Sequence, residues 1–233
     1  MEIRGERECR ECGTRWSYFR TGSVSCPSCG SLVSVGTGDR KLHTDAPVEL
    51  DLADVIARVD AEPLVEVASD AADRCRTYVN RRGFIRAGEL ASLDDAYLTA
   101  VESRHAADIF ARLNEPTDVE ELYFVSLLRA VDTGERPSAA DVPDRLREAR
   151  GSAAADATLT YRAAITRVHD PTGRLRTAVS RLRDRAKRID ALDGDVSPEE
   201  ADRLIDATRA VGRSLVADDP DALDEALAVL DAD

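Results

Sequence analysis

The sequence predicts a mainly α protein: an α-helical bundle preceded by a small N-terminal unit of short strands. Three observations carry this reading. Four of the five cysteines and the single Trp fall within residues 1–35, where Gly and Ser are abundant and helical periodicity is weak. From about Leu50 onward, apolar residues recur at the three-to-four-residue spacing of a helix face. Between the two, residues 36–47 carry breakers and polar residues. The expected organisation is a cysteine unit over 1–40, a linker over 41–47 and an acidic α-helical domain over 48–233. Glu135-Arg136-Pro137-Ser138 suggests a subdivision of that domain near 134–140.

The N-terminal unit holds two short motifs, Cys9-Arg10-Glu11-Cys12-Gly13 and Cys26-Pro27-Ser28-Cys29-Gly30, with thirteen residues between Cys12 and Cys26. Two cysteines separated by two residues can turn both sulfurs to one point, and a following Gly supplies the positive φ of the tight turn. Two such knuckles give four thiolates in a tetrahedron, the geometry of structural zinc. Cys9, Cys12, Cys26 and Cys29 are therefore the expected ligands of one Zn2+ per chain. Residues 14–19 are β-prone, Thr21-Gly22-Ser23 offers a turn, and residues 32–35 could add a third strand. So few apolar side chains cannot hold this unit unaided, so metal binding is expected to drive its folding.

These motifs, CRECG and CPSCG, resemble the zinc ribbon at the N-terminus of archaeal transcription factor B and of many small archaeal proteins. The resemblance covers about the first forty residues. It implies a three-stranded rubredoxin-like ribbon with the four cysteines as ligands and Gly13 and Gly30 as knuckle glycines. The chain as a whole is similar to haloarchaeal zinc-ribbon proteins with an uncharacterised helical domain. Rubredoxin iron sites use similar knuckles, but with about twice this separation and with more aromatics around the metal.

Start and stop signals divide the rest into helices. Ser92 with Asp95 predicts a cap for a helix running to about Asn114, before Pro116. Thr117 with Glu120 predicts a capping box for a helix ending near Asp132-Thr133-Gly134. Asp170-Pro171-Thr172-Gly173 breaks the stretch 155–190 into two helices expected to fold back as an antiparallel hairpin. In the second, Leu175, Val179, Leu182, Ala186 and Ile189 form one apolar stripe. Ser197-Pro198 with Glu200, and Asp219-Pro220, open the last two. Gly83-Phe84-Ile85-Arg86 reads as a loop, and Cys75 shares a stripe with Ala71, Ala72 and Val79 as a small core residue. Residues 122–128 are apolar nearly all round, as in a central core helix or, alternatively, a dimer interface.

Charge narrows the function classes. The 233 residues carry a formal net charge of −13, with 28 Asp, 17 Glu, 30 Arg and only 2 Lys. An Asp-heavy, Lys-poor surface is expected of a cytosolic protein from an extreme halophile, where carboxylates hold water against salt. A GC-rich genome explains the Ala, Arg and Asp but less well the net charge. No apolar run approaches the ~18 residues needed to cross a bilayer, and the charged N-terminus has no apolar core of a signal peptide; a cytoplasmic location is the expectation. No P-loop, dinucleotide fingerprint or supported Ser/His/Asp arrangement is present.

Two groups are candidate partner-binding residues. Trp16 and Tyr18, beside Arg15 and Arg20, could stack on nucleobases, or else share one strand face and cover the metal site. Arg174, Arg181, Arg185 and Arg188 stand on a segment, 174–189, with seven cations and the single carboxylate Asp184. They could dock RNA or an acidic partner, or pair internally with Asp-rich neighbours. Residues 1–41 carry a formal +2 and 42–233 a formal −15; four thiolates with one Zn2+ would bring the ribbon to about zero. Glu102 and His105 match half of a di-iron helix motif, but no second copy follows. The resulting expectation is a non-enzymatic zinc-binding adaptor of a halophilic archaeon, with protein partners. The alternatives are a transcription- or RNA-associated factor, and an enzyme or iron redox protein.

Overall fold

The computed structural model describes residues 1–113 and 115–232. Five short strands open the chain: β1 (Glu2–Ile3), β2 (Glu6–Cys9), β3 (Arg15–Ser17), β4 (Ser34–Thr37) and β5 (Lys41–Leu42). One helical turn, α1 (Tyr18–Thr21), follows β3. The ribbon sheet is antiparallel in the order β3-β2-β4, with Glu8 opposite Arg15 on one side and Val35 on the other. A second ladder pairs β1 with β5, Ile3 facing Lys41.

Two details depart from the expected ribbon. The central strand is β2, running into the first knuckle; its charged side chains are matched across the ladders, Glu8 to Arg15 at 2.9 Å and Arg7 to the Ser34 hydroxyl at 2.9 Å. The strand after the first knuckle stops at Ser17, because Tyr18 already begins α1, which Gly22 closes in the left-handed conformation.

Residues 41–47, the expected linker, lie as a packed strap between the ribbon and the helices. Leu42 is in β5, His43 is buried, and the Asp45 carboxylate is buried between Arg82 (3.0 Å) and Arg86 (2.6 Å). The expected loop at 83–86 is corrected. A hairpin of β6 (Ile85–Arg86) and β7 (Glu89–Leu90) buries Phe84 and Ile85, and it bonds the strap: Thr44 N–H donates to the Ile85 carbonyl at 2.9 Å, and Gly88 N–H to Leu42. Gly83 is required here, since a Cβ would run into the Thr44 backbone.

The remaining chain is helical. The helices are α2 (Ala53–Ile56), α3 (Leu64–Arg81), α4 (Asp95–Phe110), α5 (Asp118–Thr133), α6 (Arg147–Val168), α7 (Gly173–Ala191), α8 (Pro198–Val216) and α9 (Pro220–Asp231). Short 3-10 turns at Ala139–Asp141 and Asp144–Leu146 lead into α6. The capping box of α5 has both bonds, Glu120 N–H to Thr117 Oγ1 and Thr117 N–H to Glu120 Oε2. Ser197 caps α8, and Asp219 caps α9. The cap of α4 is Asp94 rather than Ser92: the Leu93 carbonyl is taken by Arg209 Nε at 3.0 Å, and Asp94 then accepts from Tyr97 N–H at 2.9 Å. That helix ends at Phe110; the expected end at Asn114 lies outside the described residues.

Helix α6 is the centre of the bundle, packing on α4, α7 and α8. Its buried Ala149, Ala153, Ala154 and Ala157 let those neighbours approach closely. At Gly151 the approach is backbone to backbone, a Cβ there running into the Gly194 carbonyl oxygen. The stripe Val179, Leu182, Ala186 and Ile189 is buried, with Leu175 packed at its edge, and Cys75 is fully buried. In α5, Tyr123, Phe124, Leu127 and Leu128 enter the core, while Val119 and Leu122 face solvent. One hydrophobic core runs from Leu52 to Leu230, drawing residues from both sides of the stretch 134–140.

Arg136, inside that stretch, ties it to the bundle. Glu102 has no exposed surface and accepts from Arg136 Nε at 2.7 Å, from Arg150 Nη1 at 3.0 Å and from the Tyr123 hydroxyl. Arg150 grips Asp202 in a two-point contact at 2.9 and 2.8 Å. Burial, with the Glu102 charge beside it, pushes the Tyr123 phenol up, so it stays a donor. Removing one partner from such a buried set leaves charges uncompensated. Glu102→Ala is expected to cost about 3–5 kcal/mol in urea unfolding, against less than about 1 kcal/mol for Arg174→Ala at an exposed pair.

Candidate metal centre

The two knuckles have the same backbone wiring. Cys9 N–H donates to the Thr14 carbonyl at 2.9 Å and Cys26 N–H to the Ser31 carbonyl at 2.9 Å. The Gly13 and Gly30 N–H groups return to the Cys9 and Cys26 carbonyls at 3.1 and 2.9 Å. Gly13 (φ 72°) and Gly30 (φ 74°) both take left-handed conformations. A Cβ at either would meet nothing within 4 Å, so the backbone angle, not space, calls for glycine.

The sulfurs converge. Cys9 and Cys29 Sγ are 3.6 Å apart and Cys12 and Cys26 Sγ are 3.5 Å apart; all four lie within 4.8 Å of one another. Zinc bound at ~2.3 Å in a tetrahedron would hold its sulfurs about 3.8 Å apart. The spacing and the all-sulfur donor set therefore fit a tetrahedral metal ion. Cys9 and Cys26 are buried on the inner side and Cys12 and Cys29 exposed on the outer. Cys12 is brought down to about 6 by the hydroxyl and backbone of Thr14. Cys29 is pushed up to about 12 by the Cys12 sulfur and burial, against a lowering backbone hydrogen bond at Ser31. Four sulfurs this close repel as thiolates, and a divalent cation among them removes the repulsion. Among the described residues this is the one His/Cys/Asp/Glu group arranged to hold a metal.

Trp16, a candidate partner-binding residue, is buried. Its ring is buried with Cys9 and Cys26 as the ribbon's small core, and Nε1 donates to the Ser23 carbonyl at 2.9 Å. It packs against two of the four clustered cysteines, as the alternative reading of its position expects. Tyr18 does not share that face; from α1 it meets the His43 ring edge-on at 5.9 Å, with Phe19 5.1 Å from the same ring. His43 is thereby a bridge from the ribbon to the hairpin, its Nδ1 3.4 Å from the Ala87 N–H. Burial lowers its pKa.

The basic helix α7 turns its cations onto the following helices. Arg174 pairs with Asp224, Arg181 with Asp231 and Arg188 with Glu200, and Arg185 donates to the Leu230 carbonyl at 3.0 Å. Glu102 and His105 do not share a site, for His105 faces Asp156 at 2.9 Å while Glu102 faces Arg136 and Arg150. The buried set around Glu102 escaped sequence reading, since its members are 48 and 52 residues apart.

Ribbon and bundle together define a class: a ribbon with a four-cysteine cluster that could hold a metal ion, strapped to an acidic helical body. The chain belongs to the Family of unknown function (DUF7117), whose model matches residues 1–230. No curated protein and no solved structure matches the chain. No helix is long and apolar enough to cross a membrane among the described residues.

The geometry predicts one tightly bound metal ion per chain by elemental analysis, lost on Cys26→Ser. Removing the ion with a chelator should collapse the NMR amide dispersion of residues 6–37 while the signals of α6 persist; an undisturbed ribbon spectrum would refute metal-driven folding.

Proposed function

We propose that the protein is a non-enzymatic adaptor, in which a zinc-held ribbon is a rigid knob that binds a protein partner. The observation that carries this reading is the surface around the metal site. Leu32 and Val33 are 69% and 55% exposed and Val24 is 46% exposed, in a unit whose own core holds only Cys9, Trp16 and Cys26. The Val33 carbonyl accepts from Arg10 N–H at 3.0 Å, and the Ser34 hydroxyl reaches the Val24 carbonyl at 3.5 Å. The exposed apolar side chains are thus held against the knuckles on fixed backbone, which lowers the entropic cost of binding. Zinc is the ion that best suits a closed shell of four thiolates without redox work; iron would colour the protein red.

A nucleic-acid role of the transcription factor B type has less support. Trp16 is buried, and the α7 arginines are committed to carboxylates and a carbonyl. A halophilic archaeal origin and a cytoplasmic setting rest on composition, the 28 Asp and 30 Arg against 2 Lys.

The adaptor reading is tested by affinity capture with the intact protein, Cys26→Ser and the double variant Leu32→Ser, Val33→Ser. The double variant should keep its metal and melting temperature and lose the partners that Cys26→Ser loses. An unchanged catch from both would end the proposal. If salt screening of the acidic body matters as the composition suggests, the melting temperature should climb between about 0.1 M and about 1 M KCl; a flat or falling trend speaks against a halophilic setting.

A further inference from the structure

Away from the ribbon's metal face, a cleft of about 660 Å3 opens between the end of α3, the residues before β6, α4 and α6. We propose that this cleft binds a small organic anion, a carboxylate or phosphate carried on an apolar body. Its volume lies in the range of roughly 300–1,000 Å3 typical of small-molecule sites.

The charge of the lining selects the sign of the ligand. Arg82, Arg104 and Arg167 line the cleft with one carboxylate, Asp156. Arg82 is offset by Asp45 and Asp94 just outside the lining, so the unbalanced positive charge is that of Arg167, within a region, 42–233, of formal charge −15. A cavity of about 580 Å3 beside α7 balances its own lining, setting Arg181, Arg185 and Arg188 against Asp184, Glu200 and Asp231. In the cleft the balance is incomplete. Arg167, in the last turn of α6, is exposed and makes no ion pair or hydrogen bond among the described residues. Arg104 meets Asp156 through Nη2 at 2.6 Å, and its Nε and Nη1 have no protein acceptor among the described residues. A guanidinium offers five donors in a plane, suited to the paired oxygens of a carboxylate or phosphate.

The guanidiniums are also held in place. Arg82 is fixed by Asp45 at 3.0 Å and Asp94 at 2.6 Å, and Arg104 by Asp156, with His105 sharing the same carboxylate oxygen at 2.9 Å. Preorganised donors lose little freedom when an anion arrives. The other walls are mixed: Val79, Leu159 and Ala164 supply apolar surface over buried Phe84 and Val101, beside Asn80 and Thr160. An inorganic anion would leave these walls wetted, whereas an apolar body would cover them. Thr44, from the strap that leaves the ribbon, completes the rim.

The test is NMR titration of the full, metal-loaded chain with phenyl phosphate, benzoate, inorganic phosphate and benzylamine. Phenyl phosphate or benzoate should shift the amides of Asn80, Gly83 and Thr160 saturably, and the stronger of the two identifies the head group. Arg167→Gln, which removes the charge at an exposed position in the last turn of α6 and should lower the melting temperature only slightly, should weaken that binding by about tenfold or more, the scale of one charge-assisted hydrogen bond, and Arg167→Glu should weaken it further. Equal shifts with benzylamine, no saturable shifts with either aromatic anion, or unaltered affinity in Arg167→Glu would overturn the site. Inorganic phosphate binding as tightly as phenyl phosphate would overturn the organic part of the assignment.

Discussion

The convergence of four cysteine sulfurs on one point is the constraint on which the front of this molecule rests. The ribbon's own core amounts to Cys9, Trp16 and Cys26, two of which belong to the four-cysteine cluster. Burial of one indole and two thiols cannot offset the backbone entropy of some forty residues, at about 1–2 kcal/mol each. A metal ion held by four thiolates can, because its binding free energy becomes folding free energy. The same bonds fix the loop geometry that displays Val24, Leu32 and Val33. A ribbon closed by such an ion would have no need to bury these three, which are exposed.

The second organising element is the strap at 41–47. It joins the ribbon to the bundle through β5, through Thr44 on the hairpin, and through Asp45 between two arginines. His43 adds an aromatic contact from the other side. A flexible tether would leave the ribbon free to tumble; this strap gives it a fixed bearing on the helices. Arg82 is shared, being a clamp for Asp45 and also part of the cleft wall. The strap's anchoring and the cleft's electrostatics therefore depend on one guanidinium.

What was legible in the sequence was local chemistry. The Cys-x2-Cys-Gly pairs act over five residues each, the Thr117–Glu120 box over four, and the Ser197-Pro198 start over two; each is fixed by backbone geometry that any fold must obey. The strap was not legible, since Thr44, Asp45 and Pro47 are turn-forming residues whose partners, Arg82 and Ile85, lie about forty positions on. Strand β2 was hidden for a related reason: Glu6-Arg7-Glu8 has no apolar alternation, and its pairing is sustained by Arg15 and Ser34 across the sheet. The cleft needed three helices to be placed before Arg82, Arg104 and Arg167 could be seen to share a wall.

The preference for Arg over Lys connects these features. Arg150 satisfies Glu102 and Asp202 at once, with separate nitrogens directed at separate carboxylates. Arg82 does the same for Asp45 and Asp94. A lysine, as a point charge on a flexible stem, could neutralise one carboxylate but could not set the angle between two elements. On the surface the difference matters less, because exposed pairs such as Arg174–Asp224 are weak and are screened further by salt. Inside, screening is slight, so the Glu102 and Asp45 clusters hold their geometry as ionic strength rises. A chain with so many carboxylates can thus take its specificity from a few desolvated guanidiniums and leave the remaining acidic surface to solvent.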